Sequence, residues 1–391
     1  MNRVGDRITK ARQLDLFLLR KFRENKVRKM IIHDADLKRW ALIGSRDLEI
    51  KNFKASPSFI RKFKLRNKIR SRKITRYLTK NMSENAVNIQ EESEAFVSVH
   101  RERIREVGPE SYSNSDQSGF NLEFHSGRTL EFSGCTSVEA QVQTLSGLTH
   151  SYTIQPTITA AGEMLSPMLL VLKEPGGTFG PQVQKNLFRP PNLEVTASTS
   201  GKMTKEIMKV YYEKTYLPQC PAESNLLLDQ WGGFDDTSFL EELLEGQDKI
   251  VNIYRLPKHS TPITQPCDKM LFRSMKHMTR TIYDRILMDN IEFRIPQRNN
   301  ILKMASVLHN QFSAPRFKPL IQYAWYACGY LEDRPPPFQT PAEYCLKEDD
   351  EECHYCESLG FLRCAWCTKK LCFVHTFSDE HFHYCTEIAT E

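Results

Sequence analysis

The 391-residue sequence has no run of about 18 apolar residues, the length a helix needs to cross a bilayer. Its N-terminus has no apolar signal-peptide core. Neither a membrane span nor a secretory route is therefore expected. Cysteine is sparse until near the end: Cys135, Cys220, Cys267, Cys328 and Cys345 are scattered. Without a secretory signal, a disulfide framework is not expected either. Acidic residues are scarce at the start. Residues 1–80 hold 25 Lys and Arg against 7 Asp and Glu, whereas the remainder holds 29 against 41. The net charge of +6 thus hides a basic head on an acidic body. Such a head suits a polyanionic partner.

Three carboxylates stand where apolar or strand-like runs stop. The run Leu226-Leu227-Leu228 ends in Asp229 and reads as a buried strand delivering an acid at its C-terminal end. A second run, Ile250 to Leu256, reads as another strand, followed by a polar loop and Gln265-Pro266-Cys267-Asp268. Pro266 suits a first helical turn, and Met270, Leu271 and Met275 continue a helical pattern. Asp268 would then lie near a helix N-terminus, where partial positive charge favours a carboxylate. Upstream, Asp116 follows a short strand and precedes Gly119. Three such acids could hold two magnesium ions for attack on a phosphodiester. Taken singly, each could equally be a turn, strand-end or helix-start residue.

The order Asn114-x-Asp116-x-x-Gly119, then Leu226-Leu227-Leu228-Asp229, then Leu256-Pro257-x-x-Ser260-Thr261-x-x-x-Gln265-Pro266-x-Asp268 resembles the pogo branch of the mariner-like DDE transposases. Relatives of that branch include centromere protein B and jerky-type proteins. The resemblance covers nearly the whole chain. It implies that Asp116 bridges two Mg2+ (or Mn2+) ions, with Asp229 and Asp268 each completing one site. It implies hydrolytic cleavage of double-stranded DNA at terminal inverted repeats, followed by attack of the released 3′-hydroxyl on target DNA at TA dinucleotides. Paired-end cutting further implies a homodimer. The competing classes are a transposase-derived nuclear DNA-binding protein without catalytic activity and a generic RNase H-like nuclease.

Taken in order, residues 1–80 read as three short helices. Leu14, Phe17, Leu18 and Phe22 share one helical face, and Leu37, Trp40 and Ala41 repeat the pattern after an Asp34 cap. Ser56 and Pro57 open a third helix that turns Phe59, Ile60 and Phe63 inward. Arg61, Lys62, Lys64 and Arg66 then face outward toward DNA, as in a helix-turn-helix. This head resembles the centromere protein B type domain. Lys62 to Lys73 also reads as a nuclear-import patch, so the expected location is the nucleus. Residues 81–108 read as a connector with a helix from Glu91 to Val107. Residues 109–330 read as an RNase H-like α/β domain, strands first and then strands alternating with helices. Gly176 to Pro191 reads as a loop insert. Residues 331–352 read as a stiff proline-rich and acidic linker.

The tail, residues 353–386, holds the remaining six cysteines. Four close Cys/His pairs there give zinc-ligand spacing. The short gap between the first two pairs favours an interleaved cross-brace. Cys353, Cys356, Cys372 and His375 would hold one Zn2+. Cys364, Cys367, His383 and Cys385 would hold the other, with His381 as the alternative to His383.

Overall fold

The structure, a computed structural model, describes residues 3–74, 86–125, 127–230, 238–246, 248–289, 291–347 and 349–388. The chain divides into two units, Met1–Val87 and Asn88–Glu391.

In the first unit the periodic apolar residues produce three helices, α1 (Arg3–Val27), α2 (Asp34–Asp47) and α3 (Pro57–Arg66). Leu18, Leu37, Ala41, Ile60 and Phe63 form their shared core. The first helix is long rather than short. Gly44 lets α1 and α2 approach: a Cβ there would come within 2.6 Å of the Phe17 ring. The start of α2 differs from expectation by one residue. His33 is the N-cap, its N–H donating to Asp36 Oδ2 at 2.8 Å, and Asp34 opens the first turn. That frees the Asp34 carboxylate to accept from Lys64 Nζ at 2.7 Å. Helix α3 begins as its sequence dictates, with Ser56 Oγ accepting the Phe59 N–H at 3.2 Å and Pro57 in the first turn.

The second unit is a mixed sheet with helices on both faces. Helix α4 (Ala86–Val107) is no mere connector. Val97 and Ile104 are buried in the main core, and Arg101 Nε donates to the Gly329 carbonyl at 2.6 Å. Strands β1 (Tyr112–Ser115) and β2 (Ser118–Asn121) run on from one another, as do β3 (Ser151–Gln155) and β4 (Thr157–Thr159). The two lines pair antiparallel in one unbroken register: Ser113 with Thr159, Ser115 with Thr157, Ser118 with Ile154, Asn121 with Ser151. That register sets Asp116 opposite Pro156, which has no N–H to offer a ladder, and the strands are interrupted there. Strand β5 (Met168–Lys173) pairs antiparallel with β3. A short helix, α5 (Pro181–Asn186), lies inside the segment expected to be a loop. It leads to β6 (Leu193–Ser198), parallel to β5, a strand not foreseen although Leu193, Val195 and Ala197 alternate as a half-buried strand should.

Helix α6 (Lys205–Val210) continues as a π-helical turn, Tyr211–Tyr216. Strand β7 (Glu223–Leu228) then joins β1 in parallel, α7 (Ser238–Leu244) follows, and β8 (Ile250–Arg255) joins β7 in parallel. The strand order is therefore β6, β5, β3/β4, β2/β1, β7, β8. Alternate residues serve opposite faces. Leu169, Val171, Leu226 and Leu228 pack with Met208, Tyr211, Tyr212 and Tyr216, whereas Leu170, Leu172 and Leu227 join the other core. After β8 come α8 and then α9 to α12, and that second core includes residues of α9 to α12 and of the turns between them. These are α8 (Thr261–Thr264), a π-helical turn Cys267–Leu271 running into α9 (Phe272–Met288), α10 (Arg298–Phe312), α11 (Lys318–Cys328) and α12 (Pro341–Cys345). Such a core is consistent with an RNase H-like fold.

Residues 331–352 do not form a free linker. Thr340 and Glu343 cap α12 reciprocally, and Ala342, Cys345 and Leu346 at helical spacing are buried. Even the acidic run is engaged, with Asp349 accepting from Lys370 Nζ at 2.7 Å. The tail, a hairpin of β9 (Leu362–Arg363) and β10 (Lys370–Leu371) followed by α13 (Phe373–Phe377), is seated on the body. Arg285 Nη1 donates to the Phe361 carbonyl at 2.7 Å, Trp366 Nε1 to that of Asn310 at 2.7 Å, and the Ala365 N–H to Gln311 Oε1 at 2.6 Å.

Candidate active site

Asp116 and Asp229 each follow a strand that ends, and the two strands are neighbours. The register of β1 on β7 pairs Tyr112 with Asn225 and Asn114 with Leu227. Continued two residues, it sets Asp116 level with Asp229 on strands about 4.8 Å apart. Asp268 arrives from far along the chain, in the π-helical turn that opens α9. Asn114 ties it in. This residue is 0% exposed; its Nδ2 donates to the Leu227 carbonyl at 3.0 Å and its Oδ1 accepts the Cys267 N–H at 3.0 Å. One side chain on β1 thus joins the strand ahead of Asp229 to the residue before Asp268.

The third motif is a strap across the strand ends. The Leu256 N–H extends the ladder to the Leu228 carbonyl at 2.9 Å. Ser260 and Thr264 share a hydroxyl bond of 2.7 Å, and Tyr330 Oη donates to the Thr264 carbonyl at 2.9 Å. Thr261 Oγ1 donates to Asp229 Oδ2 at 3.3 Å.

The carboxylates feel one another. Burial, then repulsion from Asp268 and Asp229, raises Asp116 well above the usual carboxylate range. Asp268 is raised as well, by partial desolvation and then by Asp229, with Lys276 opposing. Lys276 lies along α9 with its Nζ 5.4 Å from the centre of the Phe120 ring. Desolvation lowers its affinity for a proton, which Asp268 and Asp116 partly restore. Sequence reading gave Asn114, Thr261 and Gln265 no role and passed over Lys276. Its place eight residues after Asp268, about two helical turns, was the available signal.

In the tail, four ligand atoms in each of two sets lie within 4.8 Å of one another: Cys353, Cys356, Cys372, His375, and Cys364, Cys367, His383, Cys385. The acids are not drawn together that tightly. His375 Nδ1 lies 3.4, 3.6 and 3.2 Å from the sulfurs of Cys353, Cys356 and Cys372. The Cys356 and Cys372 sulfurs are 3.8 Å apart. Tetrahedral zinc with ordinary bond lengths needs S···N edges of about 3.6 Å and S···S edges of about 3.8 Å. In the second set His383 Nε2 is 3.6 Å from Cys367 Sγ, while the His381 ring packs at a tilt against that of His375, centroids 4.9 Å apart.

Residues 157–325 match the DDE superfamily endonuclease family, and residues 325–385 match the Tc5 transposase C-terminal domain. The chain belongs to the DDE transposases. The endonuclease match takes in Asp229 and Asp268 of this transposase but begins beyond Asp116, which the β1–β7 register sets level with Asp229. The C-terminal match takes in both Cys/His sets. No curated protein matches the chain. Similar solved structures include a Mos1 transposase paired-end complex with left transposon end (12% identity, 81% of this chain and 80% of that chain, TM-score 0.41). Another is the Mos1 strand transfer complex (11%, 81% and 79%, 0.42). A third is the catalytic domain of Mos1 mariner transposase (9%, 67% and 100%, 0.28).

Proposed function

We propose that this chain is a pogo-type transposase that cuts double-stranded DNA at terminal inverted repeats and joins it to target DNA at TA dinucleotides. The observation that carries the reading is the level placement of Asp116 and Asp229, with Asp268 tied to both strands through Asn114. Asp116, Asp229 and Asp268 would hold two Mg2+ or Mn2+ ions. Hard oxygen donors suit these cations; burial and then carboxylate repulsion raise Asp116, and a divalent cation relieves the repulsion. When bound, the ions would supply Lewis-acid stabilisation of the charge on the reacting phosphodiester. The chain's own groups do the rest. Thr261 fixes one oxygen of Asp229, and Lys276 offers positive charge beside Asp268 and Asp116. Water breaks the phosphodiester, leaving a 3′-hydroxyl, and that hydroxyl then attacks target DNA. No side chain becomes covalently attached.

The head would bind the transposon ends as a helix-turn-helix. Arg61 and Lys62 are exposed on α3 and would meet phosphate. Lys64 pairs with Asp34, and Arg66 pairs with Asp15 through bonds of 2.6 and 3.2 Å. These two brace the orientation of α3 as well as adding charge. The tail would hold two Zn2+ ions as a cross-brace. The protein would act in the nucleus as a homodimer.

The test is cleavage of the element's own inverted repeats with Mg2+ or Mn2+. Asp229→Ala should lower cleavage by about 10³-fold, as expected from losing several kcal/mol of charge stabilisation. Cleavage surviving that substitution would overturn the mechanism. Tight repeat binding with no cleavage under either metal would instead leave a non-enzymatic DNA-binding protein.

A further inference from the structure

Gln265 sits inside the third motif with its amide open. It is 0% exposed, and neither Nε2 nor Oε1 closes a hydrogen bond. Its backbone is committed: the N–H donates to the Thr261 carbonyl at 3.2 Å and the carbonyl accepts from Lys269 at 3.1 Å. The side chain lies against the Asp116 carboxylate, near enough to favour its charged form but without the geometry of a closed hydrogen bond. The strap holds it there from both sides, through Thr261 on Asp229 and through the Cys267 N–H on Asn114.

A buried amide left without partners is costly, a cost that an apolar side chain of similar size would not incur. Two other amides share the condition. Gln117 Nε2 and Gln155 Oε1 are also buried without partners. The register that faces Asp116 with Pro156 faces Gln117 with Gln155. Gln155 Nε2 donates to Ser115 Oγ at 3.3 Å, so only its oxygen is open; the amide that lies against the Asp116 carboxylate is that of Gln265. Because Gln265 has no exposed surface, it does not touch DNA. What it can reach is the carboxylate and whatever small ligand that carboxylate holds.

We propose that Gln265 is a positioning residue for the cation site. Its Nε2–H donates to Asp116 when that carboxylate turns to ligate a divalent cation, and its Oε1 accepts from a water at the same site. This rests on the reading of Asp116 as a cation ligand. The amide is thus held open in the free protein and closed by loading.

The experiment uses the full chain with both zinc sites filled and Mn2+ alone as the probe, titrated by calorimetry and by electron paramagnetic resonance. Gln265→Leu should melt at the same temperature as the parent or above it without Mn2+, because an open amide has been removed. Its Mn2+ affinity should fall 10- to 100-fold, the range for partners that orient a ligand. Cleavage should fall in parallel and recover in part at saturating Mn2+. Gln265→Met provides a second, more flexible apolar replacement should Leu fail to fit. Native Mn2+ affinity in the folded variant would overturn the inference. So would a large loss of metal-free stability, which would show an amide already satisfied within the fold. Asp229→Ala separates the two readings. If it abolishes Mn2+ binding while Gln265→Leu leaves it native, only the role of Gln265 falls. If Asp229→Ala itself binds Mn2+ normally, the carboxylate site falls too.

Discussion

Asn114 spends a donor and an acceptor on two backbone groups that lie 113 and 153 positions away in the chain. Replacement by Leu would keep its size and orphan both the Leu227 carbonyl and the Cys267 N–H. Each orphan costs about 1–3 kcal/mol. Asn114→Leu should therefore lose about 2–6 kcal/mol in denaturant unfolding, and the folded fraction should not cleave DNA. A variant with parental stability would show that the clamp matters little. At this scale the acids were legible in the sequence because each ends a local pattern, a strand or a helix start. Asn114, Thr261 and Gln265 were not, although they stood in the same motifs. Their partners lie across the fold, and no local periodicity encodes a hydrogen bond to a distant carbonyl.

Among the elements, the tail shows what spacing can and cannot carry. Two-residue gaps within the first three pairs made the ligand sets readable, since such pairs can reach one ion only from a tight turn. The choice between His381 and His383 was not readable, because both lie within two residues of the same place. The fold decides it: His383 lies within the second ligand set, while the His381 ring packs at a tilt against that of His375. The buried helix α12 was hidden by the prolines around it, which spoke for an extended linker. Zinc analysis of the purified chain should find two ions. Cys353→Ser and Cys364→Ser should each release one. The second should also speed amide exchange around Asn310 and Gln311, because Ala365 and Cys385 hang on those side chains. Equal exchange in both variants would mean that the second set does not brace α10.

For the whole molecule, two buried histidines set an acid limit. Burial holds His100 at about 4, with Arg103 adding to the effect, and burial holds His309 at about 4 against the Leu165 carbonyl. Both folded values lie below the unfolded value of about 6.5, so the unfolded chain binds more protons. Their contribution is complete above pH ~6.5 and is lost as pH falls toward 4, at about 1.4 kcal/mol per pH unit for each histidine. His100→Gln should flatten the slope of stability between pH 5 and 6 by about that amount. An unchanged slope would contradict the assignment.

The in-step pairing of residues 112–121 with 151–159 has a consequence for how this chain can vary in length. The excursion between them leaves one rail and returns on the other, pinned near its ends by Glu123, which accepts the Gln143 and Thr144 N–H groups at 2.6 and 2.9 Å. Insertions or deletions beyond that pin, between 126 and 142, leave the rails aligned. A single added or missing residue between 112 and 116 would turn Asp116 to the opposite side of the sheet. Lineages of this gene should therefore gather their gaps in the excursion, and a gap in the rail should mark a copy that has stopped cutting.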